Sequence, residues 1–136
     1  MNKSIGLIVL TCDNYSDLWP MFIHFFDKFW PDCPYSKYVV SNYKSLPDTS
    51  FEFINIGKDD SWSDGLLKAI SVLKNKHDYL LVTLEDSPII EKVDQFMNKH
   101  LFPNEQKVYE FHQNNPWKNY PVSVYWMMVF CFLGWF

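Results

Sequence analysis

The sequence predicts an α/β fold built on a mostly parallel, doubly wound sheet with flanking helices. Three observations carry that expectation: continuous apolar runs at residues 4–11 and 79–84, helical apolar spacing between strand-like segments, and acidic residues after both runs. Runs that are apolar without alternation suit strands buried on both faces, and such strands need helices on either side. A chain of 136 residues is long enough for one such domain and too short for two of ordinary size.

Ser4 to Thr11 reads as the first, central strand. Asp13, Asn14, Ser16 and Asp17 supply turn and cap chemistry, and Leu18, Phe22, Phe25, Phe26 and Phe29 then recur at helical spacing. Pro20 is tolerable in the first turn of that helix, and Pro31 stops it. Tyr38 to Ser41 reads as a second short strand, and Phe51 to Ile56 alternates like a third, more exposed one. Ser61 followed by Asp64 has capping-box form, and Trp62, Leu66, Ala69, Ile70 and Leu73 share one face, which predicts a helix over 62–74. Tyr79 to Leu84 is a further buried strand that delivers Glu85 and Asp86 at its carboxyl end. Beyond Pro88 the spacing predicts a short helix over Val93 to His100, a short strand over Lys107 to Phe111, and irregular chain from Asn114 to Tyr120. Val122 to Phe136 is apolar except for Ser123 and Gly134, but its fifteen residues fall short of the ~20 that span a bilayer as a helix.

Twelve Lys plus Arg against sixteen Asp plus Glu gives a net charge of -4, which argues against nucleic acid as the main partner. The aromatic share of 19% is the outlier, and rings in that number fill a core, line a ligand cleft or meet a membrane interface. Cys12, Cys33 and Cys131 are widely spaced, without metal or dithiol pairing, and the short N-terminal apolar run is no signal-peptide core. A reduced, cytoplasmic protein is the expectation.

Ligands of doubly wound sheets bind outside the carboxyl ends of the strands, where Asp13 and Glu85-Asp86 are expected. Asp13 either accepts hydrogen bonds from a base or ribose, with Tyr15 stacking on a ring, or else Asp13 or Asn14 caps the next helix. Glu85 and Asp86 either hold a divalent cation against a diphosphate or form a solvated strand-ending turn. Asp59-Asp60-Ser61-Trp62-Ser63 offers a ligand-facing rim, although the residues alone favour a cap at Asp60 or Ser61 with Trp62 packed under its helix. The chain lacks a glycine-rich dinucleotide fingerprint, a phosphate loop and a Gly-x-Ser-x-Gly elbow. Its four histidines show no metal-ligand spacing, and His24, on an aromatic helix, reads as a packed side chain.

Four pieces in order, Val9-Leu10-Thr11-Cys12-Asp13-Asn14-Tyr15-Ser16-Asp17-Leu18-Trp19-Pro20, then Phe29-Trp30-Pro31-Asp32-Cys33-Pro34-Tyr35, then Asp60-Ser61-Trp62-Ser63, then Leu80 to Asp86, resemble the nucleotide-sugar-binding half of bacterial glycosyltransferases. The resemblance is to enzymes of the Rossmann-like GT-A fold found with surface-polysaccharide genes, and it covers about residues 4–95. It implies transfer of a sugar from a nucleoside diphosphate donor to a hydroxyl on a sugar or lipid-linked acceptor, at the inner face of the membrane. It also implies a donor site of Asp13, Tyr15, Ser61, Trp62, Ser63, Glu85 and Asp86, with Asp86 as ligand of Mg²⁺ or Mn²⁺. Residues 1–95 would then be the nucleotide-sugar-binding domain and 96–136 an atypical aromatic-rich segment completing or covering it.

The sequence departs from that family in two ways. Glu85-Asp86-Ser87 is not a strict Asp-x-Asp, which makes Asp86 the better metal ligand and Glu85 its supporting partner. Only residues 87–136 follow the acidic pair, so the expectation is an incomplete C-terminal half: either a truncated or frameshifted version, or a natural short form whose acceptor half comes from elsewhere, and in those cases one that binds donor without turnover. The competing reading is a non-catalytic interaction module whose Val122 to Phe136 tail contacts a partner chain or the membrane face. An acid-based phosphohydrolase ranks below both, because Tyr15 stands where a second Asp would be wanted.

Overall fold

A computed structural model of the chain describes residues 4–93 and 123–126. Its elements are β1 (Ile5–Leu10), a 3₁₀ turn (Asp13–Tyr15), α1 (Trp19–Phe29), β2 (Ser36–Ser41), β3 (Glu52–Asn55), α2 (Trp62–Leu73), β4 (Tyr79–Thr83) and β5 (Ser123–Trp126). The five strands form one sheet in the order β3-β2-β1-β4-β5, and every neighbouring pair is parallel. An α/β protein with a parallel sheet is therefore what the buried runs build, with β1 at the centre as its unbroken apolar pattern requires.

Successive residues of β1 serve opposite faces. Leu7 and Val9 join Phe22, Phe26 and Trp30 of the α1 side, while Ile8 and Leu10 join Ala69 and Leu73 of α2. β4 divides likewise, Leu81 facing the first cluster and Leu80 and Val82 the second. This period of two across a double-sided core is the physical content of the doubly wound arrangement. Much of the aromatic surplus packs in the α1 layer, where Phe26 lies 5.1 Å from Phe51 and 5.5 Å from Trp30 between ring centroids. The α2 layer is aliphatic, and Gly65, Ala69 and Leu73 present its buried stripe at intervals of one turn.

The helix ends differ from expectation in instructive ways. α2 starts as predicted, the Ser61 hydroxyl accepting the Asp64 N–H at 3.1 Å, but the return bond shifts by one residue because Asp64 accepts from the Asp60 N–H at 3.0 Å. Asp64 also pairs with Lys68 at 2.8 Å. α1 has no side-chain cap; it continues from the 3₁₀ turn, with the Leu18 N–H donating to Tyr15 and the Phe22 N–H to Leu18, and it carries Pro20 in its first turn. The expected capping by Asp13 or Asn14 is therefore corrected. His24 is exposed on α1 rather than packed in the core, since it falls on the helix face opposite Phe22 and Phe26.

Val93 is buried without being helical, and its N–H donates to Phe29 at 2.8 Å. The rest of the predicted helix at 94–100, the strand at 107–111 and the irregular stretch at 114–120 lie outside the described residues. In the apolar tail, Ser123–Trp126 forms β5 beside β4. Among the described residues no helix is long and apolar enough to cross a membrane.

At the amino ends of the strands, Gly6 of β1 lies against the imidazole of His77, whose Nε2 is 2.7 Å from the Tyr38 hydroxyl. A Cβ at Gly6 would come within 2.8 Å of His77 Cδ2. Gly6→Ala is expected to destabilise the fold by about 1–3 kcal/mol, the usual range for overpacking, as read from the urea midpoint.

Candidate functional site

The strand order makes β1 the point from which the chain winds outward in both directions, through β2 to β3 on one side and through β4 to β5 on the other. Crevices of doubly wound sheets open at such a point, outside the carboxyl ends. A cavity of about 550 Å³ lies there, walled by the exits of β1 and β4 and by the start of α2.

The exit of β1 contributes Thr11 and Cys12, the 3₁₀ turn Tyr15, the entry to α2 Asp59 to Trp62, and the exit of β4 Glu85 and Asp86. Of the residues proposed from sequence, Tyr15, Ser61, Trp62, Glu85 and Asp86 line this cavity. Asp13 and Ser63 are not among its lining residues.

Asp13 works instead as a clamp between strand exits. Its Oδ1 accepts the N–H groups of Asn42, Tyr43 and Lys44 at 3.1–3.2 Å, and its Oδ2 shares the Tyr43 N–H at 3.1 Å. The Asp13 N–H donates back to Asn42 Oδ1 at 3.0 Å, and the Asn42 amide donates to the Gly57 carbonyl and to Asp59 Oδ1, each at 2.9 Å. Gly57 turns the chain out of β3 with φ +73°, a left-handed conformation that disfavours a side chain. Three strand exits are thus joined through one carboxylate and one amide.

The rim carries the aromatic residues. Trp62 is 40% exposed and Tyr15 52% exposed. The packing of Trp62 beneath its helix that the residues alone favoured is corrected: at the first position of α2 the indole lies outside the Gly65-Ala69-Leu73 stripe and borders the cavity.

The resemblance implied Asp86 as ligand and Glu85 as support, and burial separates the two sharply. Glu85 is 7% exposed, and burial pushes its carboxyl above the usual range, opposed by hydrogen bonding to its own backbone and to Thr11 and reinforced by the nearby Asp86 charge. Thr11 itself accepts the indole N–H of buried Trp19 at 3.0 Å. Asp86 is exposed, with its Oδ1 accepting the Ser87 hydroxyl at 3.3 Å.

Among the described residues no Lys, Arg or His lines the cavity, whereas Asp59, Asp60, Glu85 and Asp86 all do. Among the described residues no three His, Cys, Asp or Glu side chains gather as a metal-binding group. The donor set fits a divalent cation to the extent that Asp86 offers an accessible carboxylate with Glu85 beside it; the remaining ligands would have to come from a bound diphosphate and water. Asp59 lines the cavity as part of the rim expected before α2, whereas Cys12, read only as an unpaired cysteine, is a lining residue that the sequence did not single out.

Comparison with protein-family models, with curated proteins and with solved structures found no match to this chain.

Removing the clamp leaves several backbone donors without their acceptor, so Asp13→Ala is expected to cost about 1–3 kcal/mol in urea unfolding. For Glu85 the sign follows from burial. With the folded pKa raised, stability contributed by the protonated form is present at low pH and is lost as pH rises through the folded value. Glu85→Gln, a neutral isostere, is therefore expected to gain melting temperature relative to the parent at pH 7. That gain should shrink toward about pH 4, and a gap independent of pH would contradict the assignment.

Proposed function

We propose that this chain is the donor-binding domain of a GT-A-type glycosyltransferase, taking a nucleoside diphosphate sugar into the cavity at the carboxyl ends of β1 and β4. The observation that carries the reading is the convergence there of two aromatic side chains, Tyr15 and Trp62, with the acids Glu85 and Asp86. Trp62 and Tyr15 offer flat faces for a base or sugar ring. Ser61 stands at the amino end of α2, where the helix dipole favours negative charge.

The acidic lining constrains the chemistry. A diphosphate entering beside Glu85 and Asp86 meets like charge and, among the described residues, no lysine or arginine. A divalent cation carried at Asp86 would supply the missing positive charge. The residues of the chain do the rest: aromatic faces orient the ring, and the buried Glu85 stands beside Asp86 as its supporting acid.

Calorimetric titration of UDP, GDP and their sugar conjugates, with and without Mg²⁺ or Mn²⁺, tests the proposal. Binding that strengthens with the cation is expected, and Trp62→Ala is expected to weaken it roughly tenfold, the order of a lost stacking contact. Failure of every one of these compounds to bind would overturn it.

A further inference from the structure

Among the acids of the cavity, Asp59 has its place set from two sides. Its Oδ1 receives the Asn42 amide at 2.9 Å, and that amide is held in turn by Gly57 and, through the Asn42 carbonyl, by the Asp13 N–H. Against its other oxygen lies Gly65, within the second turn of α2. A Cβ at Gly65 would come within 3.0 Å of Asp59 Oδ2 and 3.5 Å of Ile56 Cδ1. A glycine in a helix interior costs about 1 kcal/mol relative to alanine, so α2 gives up propensity at the point where this carboxylate needs room. The neighbouring Asp60 is held differently, highly exposed and 3.7 Å from the Lys58 ammonium.

We propose that Asp59, seated by Asn42 and by the gap at Gly65, accepts hydrogen bonds from the vicinal hydroxyls of a sugar ring in the cavity, either the ribose or the transferred sugar of the donor. This rests on the donor-binding reading above. An ionised carboxylate is an acceptor only, with about four lone-pair sites, of which Asn42 engages one. Ring hydroxyls bring donors to the remaining sites, whereas phosphate oxygens bring like charge. Trp62 on the same rim offers its face to the apolar side of such a ring. The base or ribose contact that the sequence suggested for Asp13 thus passes two links along the chain of hydrogen bonds, through Asn42 to Asp59. Asp13 spends its own oxygens on backbone N–H groups and acts on the ligand as a positioning residue, through Asn42 and Asp59.

The test is calorimetry on the full chain with Mg²⁺ present. It compares UDP with 2′-deoxyuridine diphosphate, GDP with 2′-deoxyguanosine diphosphate, and each nucleotide with its UDP-glucose or GDP-mannose conjugate. The parent is expected to prefer the hydroxyl-bearing member of at least one pair by roughly tenfold, and the pair concerned tells ribose from transferred sugar. In Asn42→Ala and in Gly65→Ala, which displaces the carboxylate without removing it, the preference should fall to about twofold or less. Asp59→Ala leaves the bonds between Asp13 and Asn42 intact and gives the same readout if Asn42→Ala does not fold. A parent without any such preference, or an undiminished preference in Asp59→Ala or Gly65→Ala, would overturn the inference while donor binding stands. A parent that binds none of the compounds overturns the donor-binding reading, and this inference falls with it.

Discussion

The arrangement at the carboxyl end of the sheet depends on a single carboxylate, Asp13, taking the backbone N–H groups that β2 leaves unpaired as it exits. Parallel strands end with donors and acceptors that no neighbour satisfies, and the loop from 42 to 51 has no helix to absorb them. Asp13 resolves this for Asn42, Tyr43 and Lys44 together, and charge on the acceptor strengthens each bond. With the loop fixed, the Asn42 amide is free to reach Gly57 and Asp59, so the order at the cavity wall follows from the order at the strand exit.

The fold was legible because its signals are local. Apolar runs without alternation marked β1 and β4, helical spacing marked α1 and α2, and Ser61 marked the start of α2; each lies within two residues of its expected place. These features depend on solvent exclusion along a short stretch, which periodicity reports directly. What stayed hidden depends on residues distant in sequence. Asp13 read as either a ligand contact or a helix cap because the chain alone does not show that it faces the exit of β2, twenty-nine residues on. Trp62 looked like core because its place in the heptad-like pattern fits, and only the three-dimensional position of the cavity puts it at a rim. Glu85 and Asp86 are neighbours of the same chemistry, and one turns inward while the other faces water.

The two faces of the sheet divide the labour. The α1 layer holds interlocking rings, Phe22, Phe26, Trp30 and Phe51, whose large apolar areas make it the heavier share of the core. The α2 layer packs with small and aliphatic groups, and its helix presents Ser61 and Trp62 to the cavity from its first turn. The core and the cavity wall therefore draw on different sets of residues, although both meet at Trp19, buried in the core with its indole N–H on Thr11.

The contact between Gly6 and His77 at the opposite end of the sheet has a metric consequence. With no room for a side chain at Gly6, β1 has one permitted seating beside the segment that enters β4, and from there the strand measures off a fixed span of about 3.3 Å per residue to Thr11. The strand is in effect a ruler with its zero mark at the imidazole and the cavity at its far graduation. An insertion or deletion of one residue within it would both turn the apolar faces inside out and carry Thr11 and Asp13 off their marks, so tolerance for length change should be least in a strand that reaches the cavity only at its last residues.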